Sequence, residues 1–166
     1  YKRQMYVLYS EGYRPGGNNG PIQQSCTDDP LAKFRDDRYE SDAIENYELG
    51  YKASLADDRI TLATAIYQID WTDMQTSIYM DCGFSYTGNA GGAESRGIEF
   101  ESTADLGDDL MLTLNASYTQ TKLTENVDSL DAFKDDDMTM VPKYNAYLAL
   151  DKGFMLANKQ VFARID

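Results

Sequence analysis

Residues 46–55 (NYELGYKASL) constrain the fold of this chain more than any other stretch. Apolar or aromatic side chains occupy alternate positions, and polar or small side chains lie between them. A β-strand directs successive side chains to opposite faces, whereas a helix would spread both sets around its circumference. The alternation therefore predicts a strand with one apolar face and one polar face. It leaves open whether the apolar face contacts a protein core or lipid.

Strand-like sequence recurs along the whole chain. Seven strands are predicted, at about residues 3–13, 43–55, 59–79, 98–104, 110–119, 140–150 and 160–165. Alternation is clearest in the fifth, where Leu110, Leu112 and Leu114 oppose Thr113 and Asn115. In the third strand the apolar phase slips after Ile66, which predicts either a β-bulge or a change of environment along the strand.

The predicted connections alternate in length. Long loops rich in Gly, Pro, Asn and Asp begin near residues 14, 81 and 123, and short turns fall near residues 56, 106 and 152. The strands run to about ten residues, beyond the five or six usual in soluble sheets. Short turns at one end and long loops at the other are typical of outer-membrane barrels. We therefore predict an all-β, antiparallel up-and-down transmembrane β-barrel, here a partial barrel segment of about seven strands.

A soluble fold remains the alternative at this stage. An extracellular β-sandwich used for binding, for example of carbohydrate, would alternate in the same way along its strands. Such a protein would bury its apolar strand faces between two sheets. The length asymmetry of the loops favours the barrel over the sandwich.

Composition excludes several classes of function. The formal net charge of −13, from 28 acidic and 15 basic residues, argues against nucleic acid as a partner. The chain has no histidine, which removes the commonest general base and metal ligand. We expect no catalytic, cofactor-binding or metal site, and hence no enzyme. The 13 tyrosines suit the two interfaces of a membrane barrel.

Several segments resemble the barrel of TonB-dependent outer-membrane receptors, the gated transporters of Gram-negative bacteria. The resemblance rests on residues 9–17 (YSEGYRPGG), 45–52 (ENYELGYK), 66–75 (IYQIDWTDMQ), 89–91 (NAG), 95–101 (SRGIEFE) and 141–145 (VPKYN). Each motif alone is weak. Their order and spacing extend over most of the chain and make the combined resemblance specific.

The resemblance implies a location, a function and partners. Such a receptor lies in the bacterial outer membrane, binds a scarce nutrient complex in its outer loops, most often a ferric siderophore, and imports it with TonB-supplied energy. Its partners would be outer-membrane lipid, the small nutrient complex, and the TonB complex, which it meets through an N-terminal part. We expect residues 1–166 to be a segment of the receptor β-barrel, with the plug domain and the remaining strands absent.

Candidate functional residues fall in the loops and on the strands. Arg14, Arg35, Arg38 and Arg96 lie in or near loops and could contact an anionic ligand, although pairing with the abundant carboxylates is the favoured explanation at each single site. Cys26 and Cys82 fall in the first and second long loops, so they could form a disulfide or remain two free thiols. Seven strand residues are expected to face lipid: Tyr47, Leu49, Tyr51, Leu112, Leu114, Tyr118 and Leu148.

Overall fold

One antiparallel sheet organises the chain in the computed structural model, which describes residues 2–166. In chain order the strands are β1 (Lys2–Arg14), β2 (Gly17–Asn18), β3 (Arg38–Tyr39), β4 (Asp42–Leu55), β5 (Ile60–Thr72), β6 (Gln75–Tyr79), β7 (Ser85–Asn89), β8 (Ala93–Gly107), β9 (Leu110–Leu123), β10 (Tyr144–Leu156) and β11 (Lys159–Ile165). Three short 3₁₀ helices occupy Gln24–Cys26, Ala32–Phe34 and Asp128–Leu130. No helix within the described residues is long and apolar enough to cross a membrane.

The long strands lie side by side in the order in which the chain makes them. The seven-stranded sheet has the order β1-β4-β5-β8-β9-β10-β11, and β2-β3 and β6-β7 are separate two-stranded hairpins. The prediction of a partial, antiparallel up-and-down sheet of about seven strands is confirmed. The β-sandwich alternative is wrong, because residues 2–166 contain no second large sheet to cover the first.

The two ends of the sheet differ in their connections. At one end, β8 and β9 are joined by Asp108 and Asp109, and β10 and β11 by Ala157 and Asn158; all four residues have positive φ angles between 48° and 61°. Two-residue turns of this kind match the natural twist of antiparallel strands. The other end carries three long loops, which we call the first (residues 15–41), second (73–92) and third (124–143) loops.

Strand boundaries differ from the predicted ones at several places. The third predicted strand ends at Thr72, because Asp73 has a φ of 51° and the chain turns into the separate β6-β7 hairpin. β5 pairs with β4 and β8 without any register shift, so its apolar phase slip reflects a change of environment and not a bulge. The irregularity lies in β8 between Asp105 and Gly107. β10 extends to Leu156, and the turn predicted near residue 152 lies at residues 157–158.

Strand register sorts the side chains into two faces. The apolar face carries a row in which each residue lies directly opposite the next on six neighbouring strands: Val7, Leu49, Ile66, Ile98, Tyr118 and Tyr144. All six side chains are exposed in this structure. The opposite face, which we call the polar face, carries Glu48, Lys52, Glu99, Glu101 and Asn115 among its residues.

Buried apolar side chains gather at the loop end of the sheet. One cluster packs Met74, Ala90, Ala93, Leu123 and Val127, and another packs Cys26, Ile78, Met80 and Tyr86. The wall of the sheet has few buried side chains, and its apolar face is exposed. The loops therefore have small cores of their own, which position the candidate site.

Candidate ligand-binding loops and barrel wall

A buried carboxylate joins the first and second loops to the sheet. Asp42, the first residue of β4, is 2% exposed. The Arg14 guanidinium, the Trp71 indole N–H (3.0 Å) and the Gln75 backbone N–H (3.1 Å) all donate to it. Arg14 also lies over the Trp71 ring, with its guanidinium carbon 5.3 Å from the ring centroid. One side chain thus connects β1, β4, β5 and β6.

The first and second loops are tied together by a disulfide. Cys26 and Cys82 are bonded, with their Cα atoms 5.5 Å apart. Near this bond the Cys82 backbone N–H donates to the Asp29 carboxylate at 3.2 Å, and the Tyr86 hydroxyl donates to the Leu31 carbonyl at 3.0 Å. Burial raises the pKa of Tyr86, whose hydroxyl is protonated at neutral pH even without this shift.

Two asparagines join the same loops through the backbone. The Asn19 amide donates to the Thr87 carbonyl at 2.7 Å, and its oxygen accepts from the Thr87 N–H at 2.9 Å. The Asn89 amide likewise donates to the Glu40 carbonyl at 3.1 Å, and its oxygen accepts from the Glu40 backbone N–H at 2.7 Å. Each amide therefore satisfies a backbone donor and a backbone acceptor on the neighbouring loop, as a strand edge would.

The third loop packs against the base of the second. The Thr124 N–H donates to the Gly92 carbonyl at 2.9 Å, and a Cβ on Gly92 would lie only 2.9 Å from the Trp71 carbonyl oxygen. Farther along, Lys143 donates to the Asp137 carboxylate at 2.6 Å, and this hydrogen bond lowers the pKa of Asp137. All three loops thus meet over the end of the sheet.

The structure separates the four arginines considered as ligand contacts. Arg14 is half exposed and paired with Asp42, whereas the Arg35 side chain is 10% exposed and supports the first loop by donating to Asp37 and the Gly20 carbonyl. Arg96 lies on the apolar face and pairs with Glu94. Arg38 is exposed on β3 and has no ion pair within residues 2–166.

The seven residues expected to face lipid share one side of the sheet. Register places Tyr47, Leu49 and Tyr51 of β4, Leu112, Leu114 and Tyr118 of β9, and Leu148 of β10 on the apolar face. Tyr47 contacts Tyr9, with ring centroids 5.1 Å apart, and Tyr118 contacts Tyr144 at 5.2 Å. Two tyrosine pairs on adjacent levels close to the loop end resemble part of the aromatic girdle of membrane barrels.

The polar face has a shallow cavity in the half nearest the short turns. Its volume is about 820 Å³, and its lining includes Lys52, Ser54, Thr61, Thr103 and Asn115. Hydroxyl, amide and charged groups lie along this half of the face. Polar groups of this kind suit a hydrated lumen.

Sequence reasoning missed Asp42, Asn19 and Asn89. For Asp42 a signal existed, because the phase slip in β5 moves the only tryptophan, Trp71, to the polar face, where an indole N–H needs an acceptor. The two asparagines lie in loops full of other polar residues, so nothing in the sequence singles them out.

Comparison with known proteins decides the family. The family model described as TonB dependent receptor-like, beta-barrel matches residues 3–159. The chain belongs to the β-barrel family of TonB-dependent receptors. These receptors are outer-membrane proteins that transport or receive ligands, which agrees with the expected location in the bacterial outer membrane.

Solved receptor structures share this fold. The ferric yersiniabactin uptake receptor FyuA from Yersinia pestis matches with a TM-score of 0.72 and 19% identity, over 98% of this chain and 22% of that one. The siderophore receptor PiuA from Acinetobacter baumannii gives 0.64 and 19%, over 98% and 23%. The ferripyoverdine receptor of the outer membrane of Pseudomonas aeruginosa gives 0.59 and 16%, over 96% and 20%. The chain thus spans less than a quarter of the length of these three TonB-dependent receptors.

Proposed function

We propose that this chain forms part of the wall and outer loops of a receptor that binds a ferric siderophore and imports it with TonB-supplied energy. The observation that carries the proposal is the sheet itself, which has an exposed apolar face, a polar face and three long loops gathered at one end. The similarity to receptors for ferric yersiniabactin and ferripyoverdine supports a siderophore as the cargo. No enzymatic step is part of this function.

The apolar face supports a position in the membrane. Five successive rows of this face, from Tyr47 to Leu55 on β4, extend about 26 Å along the strand at roughly 3.3 Å per residue. A tilt of about 40° reduces this to roughly 20 Å along the membrane normal, close to the apolar band of known barrels. We propose that the seven residues on this face contact lipid.

The edges of the sheet support a larger barrel. The outer edges of β1 and β11 have no partner strand within residues 2–166. Unpaired backbone groups are not tolerated in lipid, so each edge needs another strand to pair with. We propose that residues 1–166 are one section of a barrel, and that additional strands and a plug domain complete the receptor.

Uptake of iron tests the proposed function. Cells that express the intact receptor should accumulate radioactive iron supplied on one member of a panel of siderophores, and a strain lacking TonB should not. Accumulation that is independent of both the receptor and TonB would contradict the proposal. Binding of the same siderophore to purified receptor separates a failure of recognition from a failure of energy coupling.

A further inference from the structure

We propose that the first and second loops form a single preassembled unit, the loop module (residues 15–41 and 73–92), held by three ties that do not depend on one another. The β6-β7 hairpin defines the heights of these ties, because Gln75 pairs with Asn89 at its base, Ser77 with Thr87 in the middle and Tyr79 with Ser85 near its tip. The base, the middle and the tip of the hairpin each contact a different part of the first loop.

The lowest tie joins the base of the β6-β7 hairpin to both ends of the first loop. The Gln75 side-chain amide donates to the Pro15 carbonyl at 3.0 Å and to the Glu40 carbonyl at 2.9 Å. Its backbone N–H donates to Asp42, and Asn89 bonds both backbone groups of Glu40. The two ends of the first loop are therefore fixed to the base of the hairpin.

The middle and upper ties lie farther from the sheet. In the middle, Asn19 makes its paired hydrogen bonds with the backbone of Thr87. At the tip, the disulfide is accompanied by the apolar cluster around Ile78, Met80 and Tyr86. Hydrogen bonds thus act at the base and in the middle, and the disulfide acts together with apolar packing at the tip, so that the loss of one tie leaves the other two in place.

A loop pair held at three heights cannot spread as two independent loops. Its outer surface is present before any ligand arrives, so binding there needs little ordering of the chain. A rearrangement that accompanies binding would then move the module as one body or involve the third loop. This inference concerns loop assembly and holds whatever cargo the receptor carries.

Hydrogen exchange of the intact receptor in detergent micelles tests the module. Three variants are compared with the wild type: Asn19→Ala, the double variant Cys26→Ser/Cys82→Ser, and all three changes together. Asn18→Ala is the matched control, because Asn18 is exposed and its side chain makes no hydrogen bond within the described residues.

A substitution in one tie should raise hydrogen exchange only near that tie. Asn19→Ala should raise exchange at Thr87 by about tenfold and leave residues 78–84 protected. The double serine variant should raise exchange at residues 78–84 and leave Thr87 protected. The triple variant leaves the lowest tie in place, so it should raise exchange by about a hundredfold only in the parts of both loops beyond that tie, with the base of the β6-β7 hairpin and β4, β5 and β8 still protected. The Asn18→Ala control should match the wild type.

Two results would overturn the module. The first is a double serine variant in which both loops exchange as unstructured chain while the sheet stays protected, since the disulfide alone would then hold them. The second is Asn19→Ala with a uniform rise across both loops, since the ties would then not be independent. If the serine variant does not assemble, Asn19→Ala and Gln75→Ala keep the disulfide and still decide the second result.

Discussion

Glycine lets tyrosine rings lie flat on the polar face at two positions. The Tyr6 ring covers Gly50, and its hydroxyl donates to Glu48. Tyr67 covers Gly97 in the same way, and a hydrogen bond of 2.9 Å joins its hydroxyl to Thr119. Both rings lie along the wall instead of projecting from it, which leaves room beside the sheet.

Of Gly50 and Gly97, Gly97 should tolerate substitution less well. A Cβ at this position would lie 2.7 Å from the Tyr118 carbonyl oxygen, which the sheet holds in place. Gly97→Ala should therefore lower the free energy of unfolding by about 2 kcal/mol, because the backbone must shift. Gly12→Ala is the control, since its Cβ would meet nothing within 4 Å. Unfolding of the receptor in detergent, followed by gel mobility, measures both; equal stability of the two variants would contradict this account.

The disulfide should resist small thiols while the receptor is folded. Cys26 is 1% exposed and Cys82 is exposed, so an incoming thiolate reaches only the Cys82 sulfur. Its attack forms a mixed disulfide at Cys82 and expels the Cys26 thiolate into an apolar cluster, which disfavours the charge. A second thiol then completes the reduction and leaves as part of the external disulfide.

We predict reduction at least about a hundredfold slower in the folded receptor than in denaturant, because a poor leaving thiolate slows exchange. Alkylation of new thiols after timed exposure to dithiothreitol, followed by mass spectrometry, gives both rates. Similar rates in the two conditions would show that the bond is open to solvent at both sulfurs.

At the level of elements, Asp42 connects four strands, β1, β4, β5 and β6, whose contacting residues are spread between positions 14 and 75 of the sequence. Its carboxylate receives donors from Arg14, Trp71 and Gln75, at the point where β1 and β5 reach the loops. A buried carboxylate with this many donors is stable only while they are present, and the Trp71 and Gln75 donors would lose their acceptor without it. It therefore fixes the base of the loop module to the wall.

Removal of this carboxylate should loosen the loops before the sheet. Asp42→Ala should lower the free energy of unfolding by about 2 kcal/mol, because donor groups of three residues lose their acceptor while the Arg14 side chain remains half exposed to water. Limited proteolysis of the intact receptor should then cut the first and second loops sooner. Asp28→Asn, at an exposed loop position, is the control. Unchanged cleavage in Asp42→Ala would exclude this role.

The elements differ in how far sequence alone predicted them. Strict alternation predicted β4 and β9, since every second side chain of an exposed wall meets the same environment. The β6-β7 hairpin was missed because Gln75 to Tyr79 continues the strand-like sequence of β5, and only the positive φ of Asp73 breaks it. Ties such as Asn19 with Thr87 depend on how two loops meet, which no local pattern encodes.

At the scale of the whole molecule, the two faces of the sheet set the environment of each strand. An unbroken row of exposed apolar side chains crosses six strands, and a row with Glu45, Asp70 and Glu94 lies two levels above it, toward the loops. An apolar band that ends in two tyrosine pairs and polar side chains, and then in charges, matches the change from hydrocarbon to head groups. In this family, such a sheet stands across the outer membrane.

Spin labels placed one at a time along residues 46–55 and at Thr113 and Leu114 of the intact receptor in lipid vesicles test this most directly. Collision with oxygen, which dissolves in lipid, should exceed collision with a water-soluble nickel chelate at Tyr47, Leu49, Tyr51 and Leu114. Labels at Glu48, Lys52 and Thr113 should show lower oxygen collision, giving a period of two along β4. Nickel collision at the apolar positions, or no alternation at all, would contradict a strand that spans the membrane.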